Sequence, residues 1–102
     1  MGNHPGERMK ITGFIWLEDI VEKLDRKHWV QPYKLSELFE RHPYFRFVER
    51  GHRKGENVYA ALGQTGEGRY LIVFFVYQPD KRALVLSARD TTNSGRRMYE
   101  RR

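Results

Sequence analysis

Residues 53–90 read RKGENVYAALGQTGEGRYLIVFFVYQPDKRALVLSARD, and most of the strongly apolar sequence of this 102-residue chain lies within them. Residues 70–77 (YLIVFFVY) are apolar at every position, as a central strand buried on both faces requires. A Gly-rich link at residues 63–68 and the sequence Gln78-Pro79-Asp80-Lys81 supply turn chemistry on either side of it, with Pro79 pre-set for a turn. Val58, Ala60 and Leu62 alternate in a preceding strand. Residues 82–89 form a following one, with Leu84 and Leu86 expected on one side and Val85, Ser87 and Arg89 on the other. Three antiparallel strands thus form the core of a small sheet.

Working outward, residues 11–16 (ITGFIW) are β-branched and aromatic and read as a first strand. Residues 18–29 switch to a helical period, with Ile20, Val21, Leu24 and His28 on one face. Acids crowd the start of this helix, and Arg26, Lys27 and His28 its end, as the helix dipole favours. A break at Pro32 precedes a second helix at residues 34–42, which Pro43 stops. Tyr44–Glu49 alternates as a second strand. Thr91, Thr92, Asn93 and Ser94 are candidate caps for a C-terminal helix that turns Met98 and Tyr99 inward and four arginines outward. Gly95 costs that helix about 1 kcal/mol relative to alanine. The expected fold is α+β: a small antiparallel or mixed sheet packed against two N-terminal helices, with a short C-terminal helix. Residues 1–10 are expected to be a flexible leader, with Met9 an alternative start, and residues 11–102 a single domain.

There is no cysteine, so neither a disulfide nor a thiolate metal site is available. No apolar run approaches the length that crosses a bilayer, and the first residues lack a secretory signal, so a cytoplasmic protein is expected. The formal net charge is +6 and the pI about 9.8. The charge is polarised. Residues 17–40 carry six acids against four bases, whereas residues 81–102 carry seven bases against two acids. A basic face of this kind suits a polyanion, either nucleic acid or an acidic protein.

None of the four histidines has a partner at metal-motif spacing, and no metal or other cofactor is expected. Gly63, Gly66 and Gly68 lie between two strands rather than before a helix, which favours a hairpin over a phosphate cradle. The remaining chemistry is cationic and aromatic. Arginine forks grip phosphate, aromatic rings stack unpaired bases, and His or Tyr moves protons near neutral pH. Such a set can bind RNA, or cleave it by activating a ribose 2′-hydroxyl against the adjacent phosphate. Lys27 and His28 serve equally as helix C-terminal cations, and Tyr70 as a core aromatic. Arg89 ends an apolar strand, where a charge needs a partner such as Asp90 or Glu56, or a task.

These residues also carry a resemblance. Phe14-x-Trp16, Lys27-His28-x-Val30, Phe39, Arg53-x-Gly55-Glu56, Ala61-x-Gly63, Gly68-Arg69-x-Leu71, Val76-Tyr77, Ser87-Ala88-Arg89 and Tyr99-Glu100 occur in an order and spacing that resembles the BrnT toxins of bacterial type II toxin–antitoxin systems, which are RelE-like ribonucleases. The resemblance spans about residues 11–100. It implies a RelE-like sheet and cofactor-independent cleavage of RNA, expected to be mRNA and ribosome-associated or general. It also implies a small cognate antitoxin of ribbon-helix-helix type, through which alone the pair would meet DNA. Carried across, the active-site candidates are Lys27, His28, Arg53, Glu56, Tyr77, Arg89 and Tyr99, with Lys54, Arg69, Ser87, Arg96 and Arg97 as further RNA contacts. Arg53 and Arg89 would hold phosphate, His28 or Tyr99 exchange protons, Lys27 stabilise charge, and Ser87 orient Arg89. Arg53 and Arg89 are expected on one rim of the sheet, near Lys27 and His28. A non-catalytic nucleic-acid-binding module and a protein-interaction domain are the alternative readings.

Overall fold

The computed structural model describes residues 9–51 and 56–102. The elements follow in the order β1 (Gly13–Ile15), α1 (Glu18–His28), α2 (Pro32–Glu40), β2 (Tyr44–Glu49), β3 (Val58–Gln64), β4 (Tyr70–Tyr77), β5 (Arg82–Asp90) and α3 (Asn93–Glu100). The strands form one sheet in the order β1-β5-β4-β3-β2. All neighbours are antiparallel except β1, which runs parallel to β5. The fold is α+β, with a five-stranded mixed sheet and three helices.

The apolar run of β4 lies at the middle of this sheet, and its alternation divides the core in two. Leu71, Val73 and Phe75 are fully buried and share a cluster with Leu24 of α1, Leu35 and Leu38 of α2, and Phe45, Ala61, Ala83 and Val85. The Val, Leu and Phe side chains among these each contribute about 1.5–3 kcal/mol by leaving water. Phe39 ties the cluster together, with its ring centroid 5.1 Å from Phe14 and 5.6 Å from Phe75. Ile72 and Phe74 point to the other face, where they pack with Ala60, Leu62 and Tyr99 of α3.

The alternation expected for β5 is overturned by a bulge. Phe75 pairs with Val85 but Phe74 pairs with Ser87, so Leu86 is the extra residue. One inserted residue reverses the parity of everything after it. Val85 therefore shares a face with Ala88, whereas Ser87 and Arg89 lie on the opposite face, opposite Phe74 and Ile72.

Other boundaries shift for local reasons. β1 is only three residues long, shorter than the expected 11–16. α1 ends at His28 rather than residue 29, because Trp29 turns left-handed. Pro32 begins α2 instead of separating it from α1, since a first-turn proline sacrifices no helical hydrogen bond. The β3–β4 turn is narrower than 63–68. β3 runs on through Gln64, and buried Thr65 closes the turn by donating its N–H to the Arg69 carbonyl at 2.9 Å.

Two glycines are explained by close approach. A Cβ on Gly63 would fall 2.8 Å from Leu38 Cγ, so this position lets α2 sit against β3. A Cβ on Gly95 would collide with Thr91 Oγ1 and lie 2.9 Å from Leu62 Cδ2. The residue that is poor for helicity is thus the one that lets the start of α3 touch the sheet, where Thr92 caps it by accepting from the Gly95 N–H at 3.1 Å.

Of the expected leader, Met9 and Lys10 are described. Met9 packs against the core, and the Lys10 carbonyl accepts from the Tyr77 hydroxyl at 2.7 Å. Residues 1–8 of that leader lie outside the described residues. Among the described residues, no helix is long and apolar enough to cross a membrane.

Candidate functional site

The sheet face that carries α3 presents Arg46 and Arg89 on its strands and Arg96 and Arg97 on the helix. Arg89 leaves β5 opposite Ile72 and lays its guanidinium 5.2 Å from the centre of the Phe74 ring. Arg46 leaves β2 opposite Ala60 and reaches Met98 of α3, with Nη1 3.9 Å from Sδ. Both arginines line a cavity of about 140 Å³ whose wall also includes Leu62, Ile72, Asp90, Thr91, Gly95 and Met98. Neither forms an ion pair among the described residues, although both are exposed. Asp90, expected as a structural partner for Arg89, instead pairs with Arg69. Successive strand residues point to opposite faces, which parts the Arg89 and Asp90 side chains, opposite Ile72 and Leu71 respectively.

A second cluster sits at the edge of the same face. The Tyr70 hydroxyl donates to Glu100 Oε2 at 3.4 Å, and Arg96 stacks 4.3 Å from the Tyr70 ring centre while its Nε lies 3.5 Å from the same carboxylate. Arg97 is exposed on α3. Ser87 is partly buried opposite Phe74, and no hydrogen bond joins it to Arg89 among the described residues.

The remaining candidates lie elsewhere. Lys27 and His28 end α1, whose Leu24 belongs to the opposite core cluster, so they lie on the other side of the sheet from Arg89, at the rim where Arg69 joins the His28 carbonyl to Asp90. Arg69 lies on their side and is held by the protein itself. Its Nε meets Asp90 Oδ1 at 2.8 Å, Nη1 the Trp29 carbonyl at 2.9 Å, and Nη2 the His28 carbonyl. It therefore closes the C-terminus of α1, where unsatisfied carbonyls need donors.

Tyr99 is buried at 7% exposure, and its hydroxyl accepts from Arg102 Nη2 at 3.2 Å, with the Arg102 guanidinium stacked on its ring. Tyr77 lies five residues along β4 from the partner of Arg89, about 17 Å away. Burial, and secondarily Tyr59, raises its pKa above the usual 10.0. Glu56 is exposed and lines a shallow groove with Arg50 and Gly51 near that same distant end. Arg53 and Lys54 lie outside the described residues. Among the described residues no three His, Asp or Glu side chains converge as a metal site would need.

Arg46 was missed from the sequence, where it is one charge in an alternating strand. Only the β2–β3 register places it on the same face as Arg89.

Fold and site together define a small α+β protein whose five-stranded mixed sheet presents a cationic, aromatic-floored face. Compared with known proteins, the chain matches no family model and no curated protein sequence.

Proposed function

We propose that the protein is a metal-independent endoribonuclease of the toxin type, RelE-like in arrangement and related to the BrnT toxins, acting in the cytoplasm on mRNA. A small ribbon-helix-helix antitoxin would silence it. The observation that carries the reading is the pair Arg46 and Arg89, two guanidinium groups without carboxylate partners among the described residues, converging on one cavity beside Phe74. Two forks suit the two non-bridging phosphate oxygens.

In the proposed reaction the ribose 2′-oxygen attacks the adjacent phosphorus as its proton leaves. The bond to the 5′-oxygen of the next nucleotide breaks, giving a cyclic phosphate and a protonated 5′-hydroxyl. Arg46 and Arg89 neutralise the charge that builds on phosphate. Of the phenols on this face, Tyr70 has a carboxylate partner in Glu100, and this gives the site a group able to relay a proton.

A second reading has specific support. His28 lies across the sheet and Tyr99 is buried, so neither expected proton carrier stands beside Arg89. This favours a face that binds RNA without cutting it.

One experiment separates the two. Purified protein is incubated with RNA in chelator, beside Arg89→Ala and an Arg46→Ala/Arg89→Ala double variant. Cleavage by the wild type that falls at least 100-fold in the double variant supports the ribonuclease. Salt-dependent binding without products supports the binding module, and undiminished cleavage by the double variant refutes the site.

A further inference from the structure

The junction between α1 and α2 carries a feature that the Arg46–Arg89 face does not use. Trp29 adopts φ 52 and ψ 45, a left-handed conformation that glycine enters freely and other residues enter with strain. The backbone requires this turn. The Trp29 N–H donates to the Asp25 carbonyl at 3.1 Å and the Val30 N–H to the Leu24 carbonyl at 3.2 Å, which drives Val30 fully into the core. The Trp29 carbonyl is clamped by Arg69 Nη1 at 2.9 Å and Lys34 Nζ at 3.4 Å.

The indole shares in none of this. It is 74% exposed, and it forms no aromatic pair among the described residues. Tyr33, four residues on, is also exposed, at 57%. A strained position that glycine would fill better therefore holds the largest side chain available and presents it to solvent.

We infer that Trp29, with Tyr33 and Lys27, is a stacking site for an unpaired base of single-stranded RNA, separate from the phosphate-gripping face. The inference rests on the RNA reading above and names a second contact region for the same ligand. Three observations select a nucleic acid over a protein partner. The last turn of α1 is basic, with Arg26, Lys27 and His28. Lys27, two residues from the indole, is exposed and has no carboxylate partner among the described residues, whereas Arg26, Lys34 and Arg69 pair with Glu22, Glu67 and Asp90. The site also adjoins the other face, because Arg69 bridges the Trp29 carbonyl to Asp90, and Asp90 lines the Arg46–Arg89 cavity. A strand gripped there reaches Trp29 by passing over the rim at Asp90.

The test uses a mixed-sequence 2′-O-methyl oligoribonucleotide, which lacks the attacking hydroxyl and persists through a titration. The chain has two tryptophans, and Trp16 stacks on Phe14 at a centroid distance of 5.4 Å, so a Trp16→Phe variant leaves Trp29 as the sole reporter. Saturating oligonucleotide is expected to quench that emission. Trp29→Gly is expected to bind about 5- to 100-fold more weakly, the range for loss of one base stack, with thermal stability equal to or above the wild type. Trp29→Phe is expected to restore most of the affinity. Arg46→Ala/Arg89→Ala should bind weakly yet still quench Trp29 at saturation.

If Trp29→Gly binds as the wild type while the double arginine variant does not, the stacking site is refuted and the cationic face stands. If the wild type binds no oligonucleotide at low salt, both fall. If Trp29→Gly loses only a co-purifying protein, the site is a protein contact and the inference is overturned.

Discussion

Replacing Arg69 with alanine should destabilise the fold by about 2–3 kcal/mol, and most of that loss should come from helix carbonyls rather than from the ion pair. The Arg69 side chain is 25% exposed and Asp90 67% exposed. An ion pair open to water on one side contributes about 0–1 kcal/mol. The two carbonyls at the end of α1 receive charged N–H donors, which are worth about 1.5–3 kcal/mol each at full effect. Both figures shrink on truncation, since water enters and Lys34 already reaches the Trp29 carbonyl at 3.4 Å.

Urea denaturation at neutral pH reads the change directly. For a domain of this size the loss corresponds to roughly 8–20 °C in Tm. Asp90→Ala should cost under about 1 kcal/mol, and the double-mutant coupling should be equally small. Arg69→Lys should recover less than half, because an ammonium cannot fork between three acceptors. A change below about 0.5 kcal/mol in Arg69→Ala, accompanied by a large fall in RNA affinity, would show that Arg69 serves RNA and does not clamp the helix.

Gly95→Ala should destabilise by about 1–2 kcal/mol despite alanine's better helix propensity, because the new methyl meets Thr91 and Leu62; a higher urea midpoint would contradict this close approach. Tyr77 has its folded pKa raised, chiefly by burial, so its contribution is complete below pH 10 and is lost as pH rises through the folded value. Tyr77→Phe should therefore flatten the alkaline limb of a stability profile, and an unchanged limb would argue against it. Asp80 has its pKa lowered by the Arg82 backbone N–H and then by the Arg82 guanidinium. Its contribution stands above the ordinary carboxylate pKa and is lost as pH falls through the folded value, so Asp80→Asn should blunt the acid limb below about pH 4. If wild type and Asp80→Asn lose stability in parallel there, the turn does not depend on that charge.

How much could be read beforehand varied with the range of the interaction involved. β4 was legible because a run apolar on both sides has one comfortable place, the middle of a sheet. The parity of β5 was not, since the bulge at Leu86 is a property of its pairing with β4 and leaves no mark in a period-2 pattern. Arg89 stays on one face with Ser87, while Val85 joins Ala88 on the other. Lys27 and His28 are grouped with Arg89 by the resemblance and by their chemistry, whereas α1 packs on the other side of the sheet. Gly95 was read as a helical defect because its neighbour in space, Leu62, is distant in sequence. Arg69 was read as a free cation for the same reason, its acceptors being backbone carbonyls that carry no sequence signature.

The parallel pairing of β1 with β5 bears on the order of assembly. Thr12 Oγ1 donates to the Asp80 carbonyl across 68 residues of chain, and Gly13 is registered against Arg82. Closing so long a loop is slow, and it yields only three strand positions in return. The hairpins β2–β3, β3–β4 and β4–β5 are all more local, so contact order predicts that the first strand made docks last. A nascent chain halted before residue 82 lacks the partner of β1 as well as Arg89 and α3. Completion of the sheet and completion of its cationic face therefore both wait on emergence of β5.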